Sequence, residues 1–175
     1  MSRNEKKNGN NPNSISPKFE SAVFFVKEVE KSKNFYVNFL GQKILMDFGR
    51  NVGFEGGFAI WETDYALKTI FEDKASGIVV GGNNSEIYFE VVDLEGLLKK
   101  LKKERIEIIH PIREHPWGQR GFRFYDPDHH IIEVSEPMLN VVARMYQGGM
   151  NIEEIEKKSM MPKEFIEMAV KNIKK

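Results

Sequence analysis

Cysteine is absent from the 175-residue chain, which excludes disulfides, thiolate nucleophiles and cysteine-ligated metals and allows a reducing cytoplasm. Charge of one sign is missing too. The 26 Lys and Arg balance 26 Asp and Glu, so no global field advertises a nucleic-acid or membrane partner. No apolar run approaches the length that crosses a bilayer, and the N-terminus lacks the apolar centre of a signal peptide. A cytoplasmic, membrane-free protein is expected. Residues 1 to about 17 are polar and rich in asparagine, with too few hydrophobic side chains to offset ordering, so a disordered tail is expected there.

What is present is most informative between Trp117 and Glu136. Phe122 and Phe124 precede Asp126-Pro127-Asp128, and Ile131, Ile132 and Val134 follow it. The aromatic and β-branched runs read as buried strands, and the Asp-Pro-Asp sequence presets a tight reversal between them. Glu133 lies inside the second strand. A carboxylate there either faces a cavity and binds something or is satisfied by a partner.

An earlier part of the chain reads as a diverged copy of the region ending in this hairpin. FFVKEVE (24–30) and FEVVDLE (89–95) are each a strand, an acidic turn and a helix start. A helical pattern follows each, on Val29, Ser32, Phe35, Tyr36, Phe39 and Leu40 up to Gly41, and on Leu94, Leu97, Leu98 and Leu101. Three strand-like runs come next in each half: QKILMDFG, RNVGFE and GGFAIWE, then RIEIIHP, RGFRFYD and HHIIEVSE. The expected organisation is a domain over 18–137, with βαβββ modules at about 18–73 and 84–137 linked by the glycine- and asparagine-rich stretch from Lys74 to Asn84.

Paired βαβββ modules with a DPDxxxxIE hairpin resemble the vicinal oxygen chelate superfamily, which includes glyoxalase, fosfomycin-resistance and bleomycin-resistance proteins. The resemblance covers about residues 20 to 137. It implies a cup of two curved sheets, usually completed by a second subunit, with the active site on the concave floor. In the enzymes the floor holds a divalent metal; in the bleomycin-resistance branch it holds a drug and no metal.

Strand alternation sorts the floor. If Glu133 faces inward, Ile131 and Ser135 do as well. The family's metal-binding histidine falls at Glu86 in the second module, with Tyr88 and Glu90 on the same face, and at Ser21 in the first, followed by Val23 and Phe25. Laying GGFAIWET on HHIIEVSE puts Ile60 opposite Glu133, so that Glu62 shares its face. The expected ligand-binding cup comprises Phe25, Ile60, Glu62, Glu86, Tyr88, Glu90, Trp117 and Glu133.

The chain departs from the family at both histidines. The resemblance leaves Glu86, Glu133 and Ser21 as candidate metal ligands, an oxygen-only set that suits manganese, magnesium or calcium better than zinc or nickel. The cofactor is thus either none or such a metal. In the metal-free reading, crowded carboxylates raise one another's pKa and favour a cationic or amine-bearing ligand. Internal neutralisation by Arg113, Arg120 or Arg123 is the remaining alternative.

His129 and His130 are adjacent, so their side chains diverge and a turn role is expected. His110 and His115 bracket a proline-containing segment read as an irregular rim or lid loop, with Trp117 offering an aromatic face. Beyond Pro137 the patterns predict three helices: one through Leu139, Val142, Ala143 and Tyr146 to Gly148, a second opened by Asn151 and Glu154, and a third after Pro162. Their cadence is similar to helix-turn-helix segments. Seven Lys or Arg against five Asp or Glu from Leu139 onward is a thin charge for phosphate contacts.

The expected protein is α+β, with two βαβββ modules forming a cup-shaped mixed sheet and a helical extension over 138–175. The expected function is binding of a small organic ligand, in a homodimer. The alternatives are a divalent-metal lyase, isomerase, dioxygenase or thiol transferase, and a ligand sensor whose tail is the effector.

Overall fold

The computed structural model describes residues 17–72 and 77–173. The expected tail, apart from Pro17, and the start of the expected linker lie outside the described residues. The first module runs β1 (Ala22–Val26), α1 (Val29–Asn38), β2 (Ile44–Asp47), β3 (Asn51–Phe54), β4 (Phe58–Glu62) and α2 (Thr63–Phe71). The second runs β5 (Glu86–Glu90), α3 (Leu94–Lys103), β6 (Ile108–Glu114), β7 (Arg120–Tyr125) and β8 (Ile131–Ser135). The extension is α4 (Met138–Gln147), α5 (Ile152–Ser159) and α6 (Lys163–Ile173).

The result is an α+β fold with one mixed four-stranded sheet per module. The first sheet has the order β1-β4-β3-β2 and the second β5-β8-β7-β6. In each, the first and last strands pair in parallel and the others antiparallel. One face of each sheet is apolar and packs on α1 and α3 in a common core that includes Val26, Phe35, Tyr36, Phe54, Ile60, Leu94, Leu101, Phe122, Phe124 and Ile132. The opposite, open face of each sheet packs against neither α1 nor α3.

Local chemistry accounts for the helices. The buried face of α1 is Val29, Ser32, Phe35 and Tyr36, the spacing of one side of a helix. Asp93 caps α3 by accepting from the Gly96 amide, and Lys100, Lys102 and Lys103 complement the dipole at its last turn. Asn151 and Glu154 form a reciprocal capping box on α5. Helix α2 has no counterpart among the expected elements, which end the first module in strand; only Ala66 in it is buried.

The segment read as an irregular loop is mostly β6, and this is a correction. Pro111 sits in that strand because β6 is the edge of its sheet, where a missing N–H interrupts no inner ladder. The register of β6 shifts twice against β7, between Ile108 and His110 and between His110 and Arg113.

The two modules are clasped by the β7–β8 turn. Asp126 and Asp128 are 4% and 6% exposed. Asp128 accepts from the Lys27 amide at 3.0 Å and the Ser32 hydroxyl at 2.8 Å, both at the start of module one. Asp126 accepts from the Tyr36 hydroxyl at 2.8 Å, His130 Nδ1 at 2.9 Å and the amides of Asp128 and His130. Burial pushes the Tyr36 phenol well above its ordinary pKa, with the Asp126 charge reinforcing the shift. Burial also works to raise Asp126, but the hydrogen bond and charge of His130, aided by its amide and by Tyr36, hold that carboxyl below the usual value.

The extension has its own core, made by Val141, Val142, Met145, Ile155, Ile166, Ala169 and Val170. Its apolar faces pack on one another. Ions make the junction. Arg144 donates to Glu136 at 2.6 Å and to the Gly118 carbonyl at 2.5 Å, and Lys158 pairs with Glu114 at 3.0 Å. Gly118, at φ 85°, leaves the space that the Met145 methyl fills; a Cβ there would overlap it. Among the described residues no helix is long and apolar enough to cross a membrane.

Asp126→Asn is expected to cost about 2–4 kcal/mol at neutral pH, since it breaks a buried charge-assisted network. Because the folded pKa is depressed, the native carboxylate's contribution is present above about pH 3.9 and is lost as pH falls through the folded value. Urea denaturation across pH should therefore show a shallower acid limb for the variant than for the parent. Equal limbs would remove Asp126 as the group responsible.

Candidate functional site

The open face of the second sheet gathers the polar side chains. Glu86, Tyr88 and Glu90 of β5 share it with Ile131, Glu133 and Ser135 of β8 and with Gly121, Arg123 and Tyr125 of β7, as the strand registers require. Their neighbours Ile87, Phe122, Phe124, Ile132 and Val134 point into the core. Period two thus converts an apolar stripe on one side into an acidic surface on the other.

Arg123 organises that surface. Its Nε donates to Glu86 Oε2 at 2.9 Å, its Nη2 donates to Glu133 Oε2, and its Nη1 lies 3.4 Å from His110 Nε2. Glu133 is only 5% exposed, so without such pairing its charge would be costly. Its other oxygen accepts from Ser135 Oγ at 2.9 Å. Gly121 makes this possible, because a Cβ there would overlap the Ser135 hydroxyl. The Arg123 hydrogen bond holds the Glu86 carboxyl below its ordinary pKa, and Glu86 in turn raises the guanidinium. Of the three arginines weighed as internal counter-ions, Arg123 takes this place, whereas Arg120 pairs with Glu95 and Glu136. The expectation that carboxylates in the cup raise one another is reversed for Glu86.

The β6–β7 turn stands over Glu133. His115 and Trp117 stack with centroids 4.4 Å apart and planes 3° from parallel. His115 Nε2 lies 3.8 Å from Glu133 Oε1, buried and without a hydrogen-bond partner. Trp117 Nε1 donates to Gln119, whose own amide donates to Tyr88 Oη at 2.9 Å and to the Glu136 carbonyl. Tyr88 donates to Glu90 at 3.0 Å, and burial, with that carboxylate, pushes its phenol up to about 12. Gln119 was not singled out from sequence. A lone glutamine after a turn gives no pattern by which to find it.

Two of the sequence-derived residues do not join this face. Ile60 is fully buried in the core, and Glu62 precedes α2 and pairs with Arg50 at 3.1 Å. The parallel register pairs Tyr88 with Glu133 in one sheet and Val23 with Ala59 in the other. Ala59 is therefore the counterpart of Glu133, and the reading that chose Ile60 was shifted by one residue, which flips every side chain to the other side. Phe25 does lie on the open face of the first sheet, 6.3 Å from Trp61. Ser21 is exposed, with its hydroxyl spent on the neighbouring Ala22 carbonyl.

As they stand, these donors do not fit a divalent ion. Both carboxylates are engaged by a guanidinium, and among the described residues no three His, Asp or Glu are grouped to hold a metal. Two grooves lie along the first sheet. One of about 560 Å³ runs between β1, Phe71 and residues 77–85, and one of about 360 Å³ is lined by Ser21, Val23, Leu45, Met46, Phe48 and Ala59 among others.

Residues 19–139 match the glyoxalase-like domain family. The match ends just inside α4, leaving most of the extension outside it. Among solved structures, a protein of unknown function from Agrobacterium tumefaciens str. C58 is 41% identical and superposes with a TM-score of 0.63 over 73% of this chain and 99% of its own. A member of the glyoxalase/bleomycin resistance protein/dioxygenase superfamily from Sphaerobacter thermophilus DSM 20745 is 26% identical, covering 71% and 100% with a TM-score of 0.52. A lactoylglutathione lyase from Agrobacterium tumefaciens shares the fold at 15% identity, covering 71% and 96% with a TM-score of 0.54.

Gly121→Ala is expected to cost about 1–3 kcal/mol, because Ser135 must leave its place between the strand and Glu133. Chemical denaturation of this variant beside Ser135→Ala tests it, and a neutral Gly121→Ala would mean that the hydroxyl repacks freely.

Proposed function

The chain belongs to the glyoxalase-like domain family, and from that premise we propose that it is a cytoplasmic, metal-independent binding protein that holds a small organic ligand on the open face of its second sheet. The observation that carries this reading is the commitment of Glu86 and Glu133, the two carboxylates at the family's metal positions, to Arg123. A metal-dependent reaction would first have to displace that guanidinium. The same face offers what a ligand without a metal needs: the His115–Trp117 stack as a flat aromatic platform, and Tyr88, oriented by Gln119, as a polar group.

Charge selects the ligand class. Glu86, Glu90 and Glu133 outnumber Arg123 and Arg113, the latter opposite Gly121, so the surface keeps an excess of negative charge, and an aromatic compound bearing an amine satisfies both the platform and the field. The test is a thermal-shift panel of aromatic amines, run with and without chelator, on the parent and on Trp117→Ala. Stabilisation that survives chelation and is lost in the variant is expected. A shift that appears only with added metal would transfer the site to the enzyme reading.

The second wall of the cup is proposed to come from another copy of this chain. On the first sheet, Leu45, Met46 and Phe48 are 67%, 57% and 71% exposed beside Val23, an apolar surface of the kind that marks an interface. Light scattering should give a dimer for the parent and a monomer for Leu45→Asp with Phe48→Asp. A monomeric parent at micromolar concentration would remove this wall.

A further inference from the structure

The groove of about 560 Å³ is lined by Ala22, Val23, Phe24 and Phe25, four consecutive residues of β1. Successive side chains of a strand point to opposite faces, so a groove that touches all four runs along the strand's edge. Among the described residues β1 pairs only with β4, at one end of its sheet. Ala22 donates to the Gly57 carbonyl at 3.0 Å, and in a parallel ladder alternate residues turn both backbone polar groups to the same side. Ala22, Phe24 and Val26 therefore serve β4, while Val23, Phe25 and Lys27 turn away from it. Lys27 shows where that side leads: its amide donates to Asp128 Oδ1 at 3.0 Å, in the other module. The N–H and C=O groups of Val23 and Phe25 have no such partner among the described residues.

Phe71, Ile78 and Val79 add apolar surface, and no Lys, Arg, Asp or Glu is among the described residues that line the groove. His130, 8% exposed, lines it beside Phe24. Its Nδ1 lies 2.9 Å from Asp126 Oδ2, which already accepts from the Tyr36 hydroxyl. The neutral ring thus carries its proton on Nδ1 and leaves a lone pair on Nε2. An unpaired strand edge is a template for another chain. Two N–H and two C=O groups set two residues apart, roughly 6–7 Å along the strand, match the repeat of a second extended backbone.

We propose that this groove docks an extended, uncharged segment of a partner protein, which adds as a strand to the edge of β1 through Val23 and Phe25 and offers a donor to His130 Nε2. The apolar walls select segments rich in valine, isoleucine and threonine. Glu86, Arg123 and Glu133 do not line this groove, so docking here is independent of what the acidic face binds.

The test measures fluorescence anisotropy of labelled, C-terminally amidated pentapeptides of valine, isoleucine and threonine with the full-length protein, beside the same peptides N-methylated at every amide. Amide hydrogen exchange is followed in parallel. Binding by the unmethylated peptides alone is expected, and the Val23 and Phe25 amides, fast in the protein by itself, become protected when peptide is added. Val23→Pro removes only an outward N–H, which a strand edge tolerates, and is expected to weaken binding about tenfold. No binding by any of the peptides overturns the proposal, as does equal binding by the methylated set, which would make the groove a site for apolar small molecules. Protection of both amides in the protein by itself also overturns it, because the edge would already be covered by this chain or a second copy. If Val23→Pro does not fold, Val79→Asp decides: Val79 is 81% exposed, so the change spares the core, and unaltered peptide binding overturns the proposal.

Discussion

The fold depends on burying two aspartates. Asp126 and Asp128 form the turn between β7 and β8, and neither could lose water without partners. Those partners come from elsewhere: Lys27 and Ser32 at the start of α1, Tyr36 one turn later, and His130 beyond the turn. The turn thereby becomes the joint between the modules. Since no strand ladder links β1 to β5 among the described residues, this polar clasp and the shared core position one sheet against the other. The edge-on contact of Phe24 with His130 and the tilted contact of Phe35 with Phe124 complete the joint with apolar surface.

The same economy governs the open face. Glu133 is placed in the sheet by strand alternation and kept there by Arg123, Ser135 and the absence of a side chain at Gly121. A charge that would destabilise the sheet alone becomes an ordered feature once the guanidinium spans it and Glu86. That pairing also sets the electrostatics of the face, because a guanidinium already stands at both carboxylates.

The helical extension reaches the site through one turn. Met145 and Arg144 of α4 fasten Gly118, while residues on either side of Gly118 carry His115, Trp117 and Gln119 to Glu133 and Tyr88. The turn that carries the His115–Trp117 stack is therefore held partly by contacts made outside the family domain. Glu136 links both, accepting from Arg120 within the sheet and from Arg144 in the helix.

Periodicity and turn chemistry are local, and for that reason the sequence by itself determined the two βαβββ modules, the three C-terminal helices with the Asn151 cap, and the polar face carrying Glu86, Tyr88, Glu90 and Glu133. Composition alone excluded thiol chemistry. Helix α2, in which only Ala66 is buried, was not anticipated, and the second half of β6 passed for a loop because proline is forbidden only in inner strands. Ile60 and Glu62 were misplaced since an alignment of short strands tolerates a one-residue shift that the hydrogen-bond register does not. Only the tertiary structure decided that Arg123, rather than Arg113 or Arg120, meets the two carboxylates, that His110 joins them, and that the aspartates of the turn clasp the other module. Those contacts join residues far apart in the chain, and their partners are chosen by how the strands and helices pack, which no local pattern encodes.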